Sequence, residues 1–245
     1  MRYLVLSDVH ANLEALTAAI DAAAGEWDQA LVLGDLVGYG ADPNAVIDRI
    51  RQLPVAAIVR GNHDKVAAGL APVDSFNHVA RQAIEWTADE LTPANLQWLA
   101  TMPQGPLSVD ALTEICHGAP WDEDAYVFDE RDVEQARASQ SRPLCLFGHT
   151  HVPSIFRIET AVEAMLPVRG ERCRVPIDGT GRYLVNCGAV GQPRDSDPRA
   201  AFGLLDVDAR MLTIVRTPYD VATAQMKIMD AGLPPVLAQR LALGR

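Results

Sequence analysis

The first sixty residues alternate between short apolar runs and helical patterns, and this alternation constrains the fold more than any other feature. Apolar runs at residues 3–6, 30–33 and 55–59 predict buried strands. One helical pattern follows Asn12, and a second starts at Asp42-Pro43, where an N-cap residue precedes a proline. Two consecutive strand–helix–strand units predict parallel strands buried between helices, and therefore an α/β fold.

The rest of the chain adds helices and further strands. Helical spacing predicts helices across residues 75–102, and the segment 157–182, which mixes charges, Gly and Pro, is interpreted as an insertion or hairpin. Further strands are predicted at residues 112–116, 144–147, 183–186, 201–205 and 212–216, the last three in a second sheet. Neither an internal repeat nor a linker divides the sequence, so residues 1–245 are expected to form a single domain.

Polar residues follow the predicted strands at the points where the strands end. These residues are Asp8, His10, Asp35, Asn62, His63, His117, His149 and His151. They include five of the six histidines, and only His78 lies elsewhere, in the helical middle of the chain. Ligands of open α/β sheets bind outside the carboxyl ends of the strands, so these side chains are expected to meet at one edge.

The residue types in this set indicate metal binding. Asp, Asn and His offer oxygen and nitrogen ligands without a thiolate, which suits Mn²⁺, Fe, Zn²⁺, Co²⁺ or Ni²⁺ better than Ca²⁺ or a soft metal. Seven candidate ligands are too many for one tetrahedral ion. They suit two ions that share a carboxylate, an arrangement that can clamp a phosphate between the metals.

Five short motifs follow one another along the chain, each after a predicted strand. They are D-x-H at 8–10, G-D-x-x-x-x-G at 34–40, G-N-H-D at 61–64, H-G at 117–118 and G-H-T-H at 148–151. In this order they resemble the calcineurin-like metallophosphoesterase superfamily. The segment 186–194 further resembles the small bacterial and archaeal phosphodiesterase-like members, although Cys187 and Ala189 depart from the Pro and Ser usual there.

The resemblance implies a ligand set and an acid. By it, Asp8, His10 and His151 would hold one metal, Asn62, His117 and His149 would hold the second, and Asp35 would bridge both. His63 would not bind metal but would serve as a general acid or stabilise phosphoryl charge, with Asp64 orienting its ring. Apart from the resemblance, the guanidinium group of Arg194 suits a contact with the phosphate, and Trp121, which follows His117 closely in the sequence, is expected at the rim of the site in contact with the substrate.

The resemblance also implies the fold and the reaction. The fold would be a four-layer αββα sandwich of two mixed β-sheets flanked by helices, the metallo-dependent phosphatase fold. The chain would be a metal-dependent hydrolase of a small phosphodiester or phosphomonoester, through in-line attack by a hydroxide held by two metals, Mn²⁺ foremost. A phosphoprotein phosphatase, a dinucleoside polyphosphate hydrolase and a non-catalytic metal-binding scaffold are the alternatives.

Net charge and cysteine content limit which partners and which cellular compartment are expected. The net charge is −11, which opposes stable binding to nucleic acid and to anionic membranes. The four cysteines form no C-x-x-C pair, as is typical of reduced core residues in a cytosolic protein. The first strand starts within about three residues of Met1, and no apolar run is long enough for a membrane span, so a cytoplasmic location is expected.

Overall fold

Two mixed β-sheets face each other in the computed structural model, which describes residues 1–158, 162–166, 168, 170–179 and 181–245, with the backbone alone at 162–166. The first sheet has the strand order β3-β2-β1-β11-β12-β9. Its strands are β1 (Arg2–Leu6), β2 (Gln29–Val32), β3 (Val55–Ile58), β9 (Arg172–Pro176), β11 (Ala200–Asp206) and β12 (Met211–Thr217). The strands β1, β2 and β3 run parallel, as the alternation at the start of the sequence predicts.

The second sheet has the order β4-β5-β6-β10-β7-β8. Its strands are β4 (Leu107–Ser108), β5 (Thr113–Ile115), β6 (Leu144–Phe147), β7 (Ser154–Ile158), β8 (Val162–Leu166) and β10 (Arg182–Asn186). β5, β6 and β10 are parallel, whereas β7 runs antiparallel to both of its neighbours. The sheet is therefore mixed.

Eight helices in the described part of the chain lie outside the two sheets or follow them. They are α1 (Leu13–Ala22), α2 (Pro43–Arg51), α3 (Asn62–Ala67), α4 (His78–Glu90), α5 (Pro93–Ala100), α6 (Glu130–Ser139), α7 (Val221–Asp230) and α8 (Pro235–Leu243), with a short 3₁₀ turn at Val73–Ser75. The Asn12 side chain caps α1 by accepting a hydrogen bond from the backbone N–H of Ala15. Within the described ranges, none of these helices combines the length and apolar character that crossing a bilayer requires.

Alternation along the strands builds the layers. On β1, Leu4 and Leu6 pack against the α1 side of the first sheet, whereas Val5 points into the core between the sheets. On β6, Leu144 shares that inner core, and Phe147 packs on the outer side with residues of α6. Each sheet thus buries both faces, and the order of layers is helices, sheet, sheet, helices.

Two strands lie in a different sheet from the one predicted. β11 and β12 belong to the first sheet, because β11 pairs antiparallel with β1 along Arg2–Val5 and β12 pairs with β11. Of the last three predicted strands, only β10 lies in the second sheet. An apolar pattern shows that a strand is buried on both faces but not which strand it will pair with.

The segment 157–182 supplies strands to both sheets. β8 pairs with β7 in the second sheet, and β9 crosses to pair with β12 at the edge of the first. Part of the predicted insertion or hairpin, at residues 159–161, 167, 169 and 180, lies outside the described residues.

Candidate metal centre

The carboxyl ends of five strands bring the predicted ligands together where the two sheets face each other. β1, β2 and β3 lead into Asp8-Val9-His10, Asp35 and Asn62, while β5 and β6 lead into His117 and into His149-Thr150-His151. Two groups form, and in each the carboxylate and imidazole ligand atoms lie within 4.8 Å of one another. The first ligand group is Asp8, His10, Asp35 and His151; the second is Asp35, His117 and His149, joined by Asn62.

Asp35 is common to both groups, and its position is central. Its Oδ2 lies 3.5 Å from Nε2 of His10 in the first group and 3.3 Å from Nε2 of His117 in the second. Its Oδ1 accepts a hydrogen bond of 2.9 Å from the backbone N–H of His63. One carboxylate oxygen therefore faces both groups while the other is held by the start of α3.

The remaining ligand atoms close each group. In the first, Nε2 of His151 lies 3.3 Å from Oδ1 of Asp8 and 3.1 Å from Nε2 of His10. In the second, Nε2 of His117 lies 3.3 Å from Oδ1 of Asn62 and 3.2 Å from Nδ1 of His149. All seven side chains are buried except that of Asn62, which is half-buried.

Each ligand histidine has its other ring nitrogen fixed by a backbone carbonyl. Nδ1 of His10, His117 and His151 donates to the carbonyls of Val37, Leu33 and Gln192, at 3.1, 2.7 and 2.6 Å. His149 is reversed, since its Nε2 donates to the carbonyl of Asp124 at 3.2 Å and its Nδ1 faces the centre. This second contact is the one that orients histidine ligands in metal sites.

This arrangement fits cations and little else. With one nitrogen of each ring donating to a carbonyl, a neutral imidazole turns the lone pair of its other nitrogen towards the centre. Nε2 of His10 and Nε2 of His151 then face each other as two acceptors 3.1 Å apart, and Nε2 of His117, once it has lost its proton, faces Nδ1 of His149 at 3.2 Å in the same way. Acceptors converge favourably only on a shared positive charge, so the donor set fits two metal ions.

Electrostatics at the centre lead to the same requirement. Burial raises the pKa of Asp8 to about 6, because a carboxylate without water around it favours the protonated form. Burial works against the charged form of His117, but the Asp35 carboxylate outweighs it and raises the pKa of His117 to about 10. The buried carboxylates thus call for positive charge, which a proton or a metal cation can supply.

The backbone of the centre is strained. Asp8, His10, Asp35, His149 and His151 have φ angles between 49° and 66°, in the left-handed region that residues with a side chain seldom adopt. Such strain is typical of functional sites, where the surrounding structure holds it in place. The ligands leave their strands through these tight turns, which aim the side chains back at the sheet edge.

Glycine at position 61 allows two parts of the centre to approach closely. A Cβ atom there would overlap the Asp35 carboxylate and the Asp35 backbone nitrogen. The motif glycine before Asn62 is therefore required by the position of the shared carboxylate, not only by the turn.

His63 lies in the site, but Asp64 does not orient it. The His63 ring packs between Tyr39 and Phe76, with ring centroids 4.4 and 4.6 Å away, and its Nδ1 has no hydrogen-bond partner. The Asp64 carboxylate instead accepts from the backbone N–H groups of Leu36 and Gly61, at 2.8 and 2.9 Å. Asp64 therefore fixes the turns that carry Asp35 and Asn62, and aromatic packing positions His63.

A cleft of about 540 Å³ opens onto the centre. Asp35, Asn62, His63, His149 and His151 lie at its base. Arg194 lines the same cleft, with its guanidinium 5.8 Å from the centroid of the Tyr39 ring and 3.0 Å from the side-chain oxygen of Gln192. The structure thus brings Arg194 to the site.

Trp121 lies elsewhere, and Tyr126 occupies the wall. Trp121 packs against the outer core that contains Cys116 and Phe147, and it is not among the described residues that line the cleft. Tyr126 lines the cleft and stacks on the His149 ring, with centroids 4.0 Å apart and an angle of 22° between the planes. The structure therefore places Tyr126 rather than Trp121 at the wall of the cleft, because distance along the chain from His117 does not show which side chain turns inward.

The cleft walls also contain residues that sequence reasoning did not single out, among them Tyr39, Lys65, Phe76 and Tyr126. Tyr39 lies inside the motif at 34–40, so its place within a motif could have signalled it. The other three lie outside the motif residues and reach the cleft through tertiary packing.

Comparison with known proteins places the whole chain among similar proteins. The family model of the calcineurin-like phosphoesterase superfamily domain matches residues 1–210. An uncharacterized protein of Methanocaldococcus jannaschii, MJ0912, is 32% identical over 249 residues, covering 98% of this chain and 97% of that protein.

Solved structures agree with this match. The crystal structure of a metallophosphoesterase from Sphaerobacter thermophilus is 38% identical with a TM-score of 0.88, covering 100% of this chain and 99% of that one. The hypothetical protein PH1004 from Pyrococcus horikoshii OT3 has the same fold, with a TM-score of 0.78 at 19% identity, covering 100% of this chain and 98% of that one.

Proposed function

The chain belongs to the calcineurin-like phosphoesterase superfamily and has the metallo-dependent phosphatase fold, and on this premise we propose that it hydrolyses phosphodiesters or phosphomonoesters with two bound metal ions. The observation that carries the proposal is Asp35, whose Oδ2 faces His10 of one ligand group and His117 of the other. A shared carboxylate is what two ions held a few ångströms apart require.

In this proposal Asp8, His10 and His151 hold the first ion, and Asn62, His117 and His149 hold the second. Asp35 binds both. Such ions, when bound, would supply positive charge for the phosphoryl oxygens and would lower the pKa of a coordinated water. The chain's own contribution is to aim seven preoriented ligands at two points and to bury them away from solvent.

His63 is proposed to assist departure of the leaving group. Burial lowers the pKa of His63 to about 4, and a phosphate dianion or an alkoxide beside the ring would favour the protonated form. His63 would then donate a proton to the leaving oxygen or stabilise charge on the phosphoryl group. Its backbone is fixed by the hydrogen bond to Asp35, so the ring keeps its place against the ring of His10 in the first ligand group, 4.8 Å away between centroids.

Arg194 is proposed to bind a phosphoryl oxygen. Among the described residues that line the cleft, Arg194 alone carries a guanidinium group. Its Nε has no hydrogen-bond partner. A planar guanidinium fits two phosphoryl oxygens at once. The ring of Tyr39 supports it from one side.

Mn²⁺ is the proposed first choice of metal, with Fe, Zn²⁺, Ni²⁺ and Co²⁺ as alternatives. The donors are imidazole nitrogens and carboxylate or amide oxygens, and the free cysteines lie outside both ligand groups. Such a mixed set accepts several divalent ions, so availability decides among them.

Hydrolysis by the stripped and reloaded protein tests the proposal. After removal of metal by a chelator, activity should vanish, and Mn²⁺ should restore it. The substrates are an aryl phosphodiester, an aryl phosphomonoester, cyclic nucleotides, dinucleoside polyphosphates and a phosphopeptide. Preference for one of the last two would support the corresponding alternative enzyme. A protein that holds both ions and hydrolyses none of the five would be a scaffold, and the proposal would be wrong.

The substrate is further proposed to be a small phosphate ester in the cytoplasm rather than a nucleic acid or a membrane component. A net charge of −11 gives long-range repulsion from duplex DNA. The expected result is no retention of duplex DNA at physiological salt. Retention that falls steeply with added salt would revive a nuclease function.

A further inference from the structure

We propose that one wall of the cleft, the α3–α4 wall, receives an uncharged, apolar ester group of the substrate. The wall is defined by Val66, Ala71, Pro72, Phe76 and Ala80, which line the cleft between α3 and α4. The inference rests on the proposed function and adds the chemical class of the group attached to the phosphate.

The wall adjoins the reacting end of the cleft. Phe76 stacks on His63 with ring centroids 4.6 Å apart and an angle of 27°. His63 in turn follows Asn62 of the second ligand group. A phosphate held at the metal centre would therefore project one ester group towards Phe76.

The charges beside the wall are already paired among the described residues. The Lys65 ammonium contacts Asp124 at 2.5 Å and Glu123 at 3.0 Å, and Asp74 pairs with Arg81 at 3.0 Å. A second phosphate in this part of the cleft would have to break one of these pairs. An apolar group gains from burial against the wall and breaks none.

Binding of alkylphosphonates tests the wall without turnover. Methyl-, propyl- and hexylphosphonate bind the Mn²⁺-loaded protein through the same headgroup and differ only in apolar length. Isothermal titration should show a Kd that falls by about two- to fourfold per methylene, the range expected for partial to full burial. A Kd independent of chain length would overturn the inference.

Two variants separate the wall from general effects. Ala71→Asp places a charge in the wall and should abolish the dependence on chain length while methylphosphonate binds as before. Leu70→Asp places the same charge one residue away, on a side chain that is exposed and outside the cleft lining, and should behave like the unchanged protein. If Ala71→Asp kept the full dependence on chain length, the wall would not be the binding surface.

The outcome also distinguishes this inference from the proposed function. A flat series in a protein that hydrolyses the panel refutes the wall alone. If affinity rises with chain length in a protein that hydrolyses no ester, the hydrolase is refuted and an apolar phosphonate-binding site remains.

A second inference comes from a different observation, the ion-pair network at Glu123. The Glu123 carboxylate is 8% exposed and accepts from Nε and Nη2 of Arg60, at 3.0 and 2.9 Å, and from Nζ of Lys65 at 3.0 Å. We infer that Glu123 is a positioning residue for the second ligand group. It touches no ligand itself.

The network joins the two segments that orient this group. Arg60 directly precedes Gly61-Asn62, and Lys65 lies on α3, which begins at Asn62. On the other side, the loop that carries Glu123 supplies the Asp124 carbonyl to Nε2 of His149 and the Tyr126 ring that stacks on His149. Glu123 thus fixes the source of Asn62 against the supports of His149.

Metal titration of Glu123→Gln tests this role. The neutral amide holds Arg60 and Lys65 more weakly and leaves the Lys65–Asp124 pair as the remaining ionic link, so the separation of Asn62 and His149 is less firmly fixed. The affinity for the second Mn²⁺ should fall by about 10- to 100-fold, the usual effect of removing an outer partner of a ligand, while the first ion binds as before. The electron paramagnetic resonance signal of the coupled Mn²⁺ pair should fade in favour of that of an isolated ion.

Glu26→Gln is the matched control. Glu26 forms a similar two-contact pair with Arg172, at 3.1 and 2.6 Å, far from both ligand groups. This variant should bind both ions normally. Unchanged binding of the second ion in Glu123→Gln, or equal weakening of both ions, would overturn the positioning role.

Discussion

The two ligand groups share a carboxylate but are held in different ways. The histidines of the first group are held by backbone carbonyls of buried residues, Val37 for His10 and Gln192 for His151. In the second group the Leu33 carbonyl holds His117, but His149 is oriented by a loop, through Asp124 and the exposed ring of Tyr126, and Asn62 is half-buried at the cleft. The comparison indicates a rigid first site and an adjustable second site that meets the substrate.

This difference predicts unequal metal affinity. A preformed group loses little conformational freedom on binding, whereas a group that relies on a loop must order that loop. We therefore expect a chelator to remove the ion of the second group first. Equal and simultaneous loss of both ions would contradict the comparison.

The largest effect is expected for Asp35→Ala, which removes what the two groups have in common. Both ions should bind weakly, and activity should fall by more than about 10³-fold, because several kcal/mol of charge stabilisation depend on the pair. Elemental analysis of the metal-loaded variant measures this. Two tightly held ions in Asp35→Ala would show that the carboxylate does not bridge.

Substitution of one histidine from each group tests whether the two ions bind independently. His149→Ala should lose only the ion of the second group and keep a single tightly bound ion. His10→Ala removes a ligand of the rigid group, so the tight ion should be the one lost. Titration with Mn²⁺ measures both, and His78→Ala, which changes an exposed histidine outside the site, is the control. Loss of both ions in His149→Ala would mean that the groups are not independent.

His63→Ala tests the one histidine of the site that is not assigned to a metal. Both ions should remain, and turnover should fall by about 10²–10⁴-fold if the ring donates a proton. The loss should be greater for alkyl esters than for nitrophenyl esters, because a nitrophenolate leaves without a proton. An equal loss on both would indicate stabilisation of the phosphoryl oxygens, and unchanged turnover would remove His63 from the mechanism.

The sequence predicts the metal ligands of both groups better than it predicts the walls of the cleft. The ends of β1 and β2 are visible because a buried apolar run stops at Asp8 or Asp35, and this local signal needs no tertiary information. The walls of the cleft are different. Phe76 and Tyr126 lie outside the motifs, and only packing against His63 and His149 brings them to the site.

One residue and one strand whose contacts were predicted incorrectly illustrate the same limit. Asp64 follows His63 directly, but both lie in the first turn of α3, where neighbouring side chains point in different directions. The strand β11 is recognisable from its apolar run, yet its partner β1 lies some two hundred residues earlier in the chain. Local pattern shows what a residue is suited to, and long-range pairing decides what it meets.

The smallest effect is expected for Gly38→Ala, which acts on His63 through space. Gly38 has a φ angle of 86°, and a Cβ atom there would overlap Nδ1 of the His63 ring. The ring must shift, so turnover should fall by about tenfold, the cost of a misplacement well under that of losing the group. Both ions should stay bound.

Gly25→Ala is the matched control, since Gly25 has a φ angle of 79° with no atom within 4 Å of the added Cβ. Both variants should lose about 1–2 kcal/mol of folding stability from the left-handed backbone, measured by denaturant unfolding. Only Gly38→Ala should lose activity, because only there does the new methyl group meet a residue of the site. Equal activity in the two variants would show that the position of the His63 ring does not limit turnover.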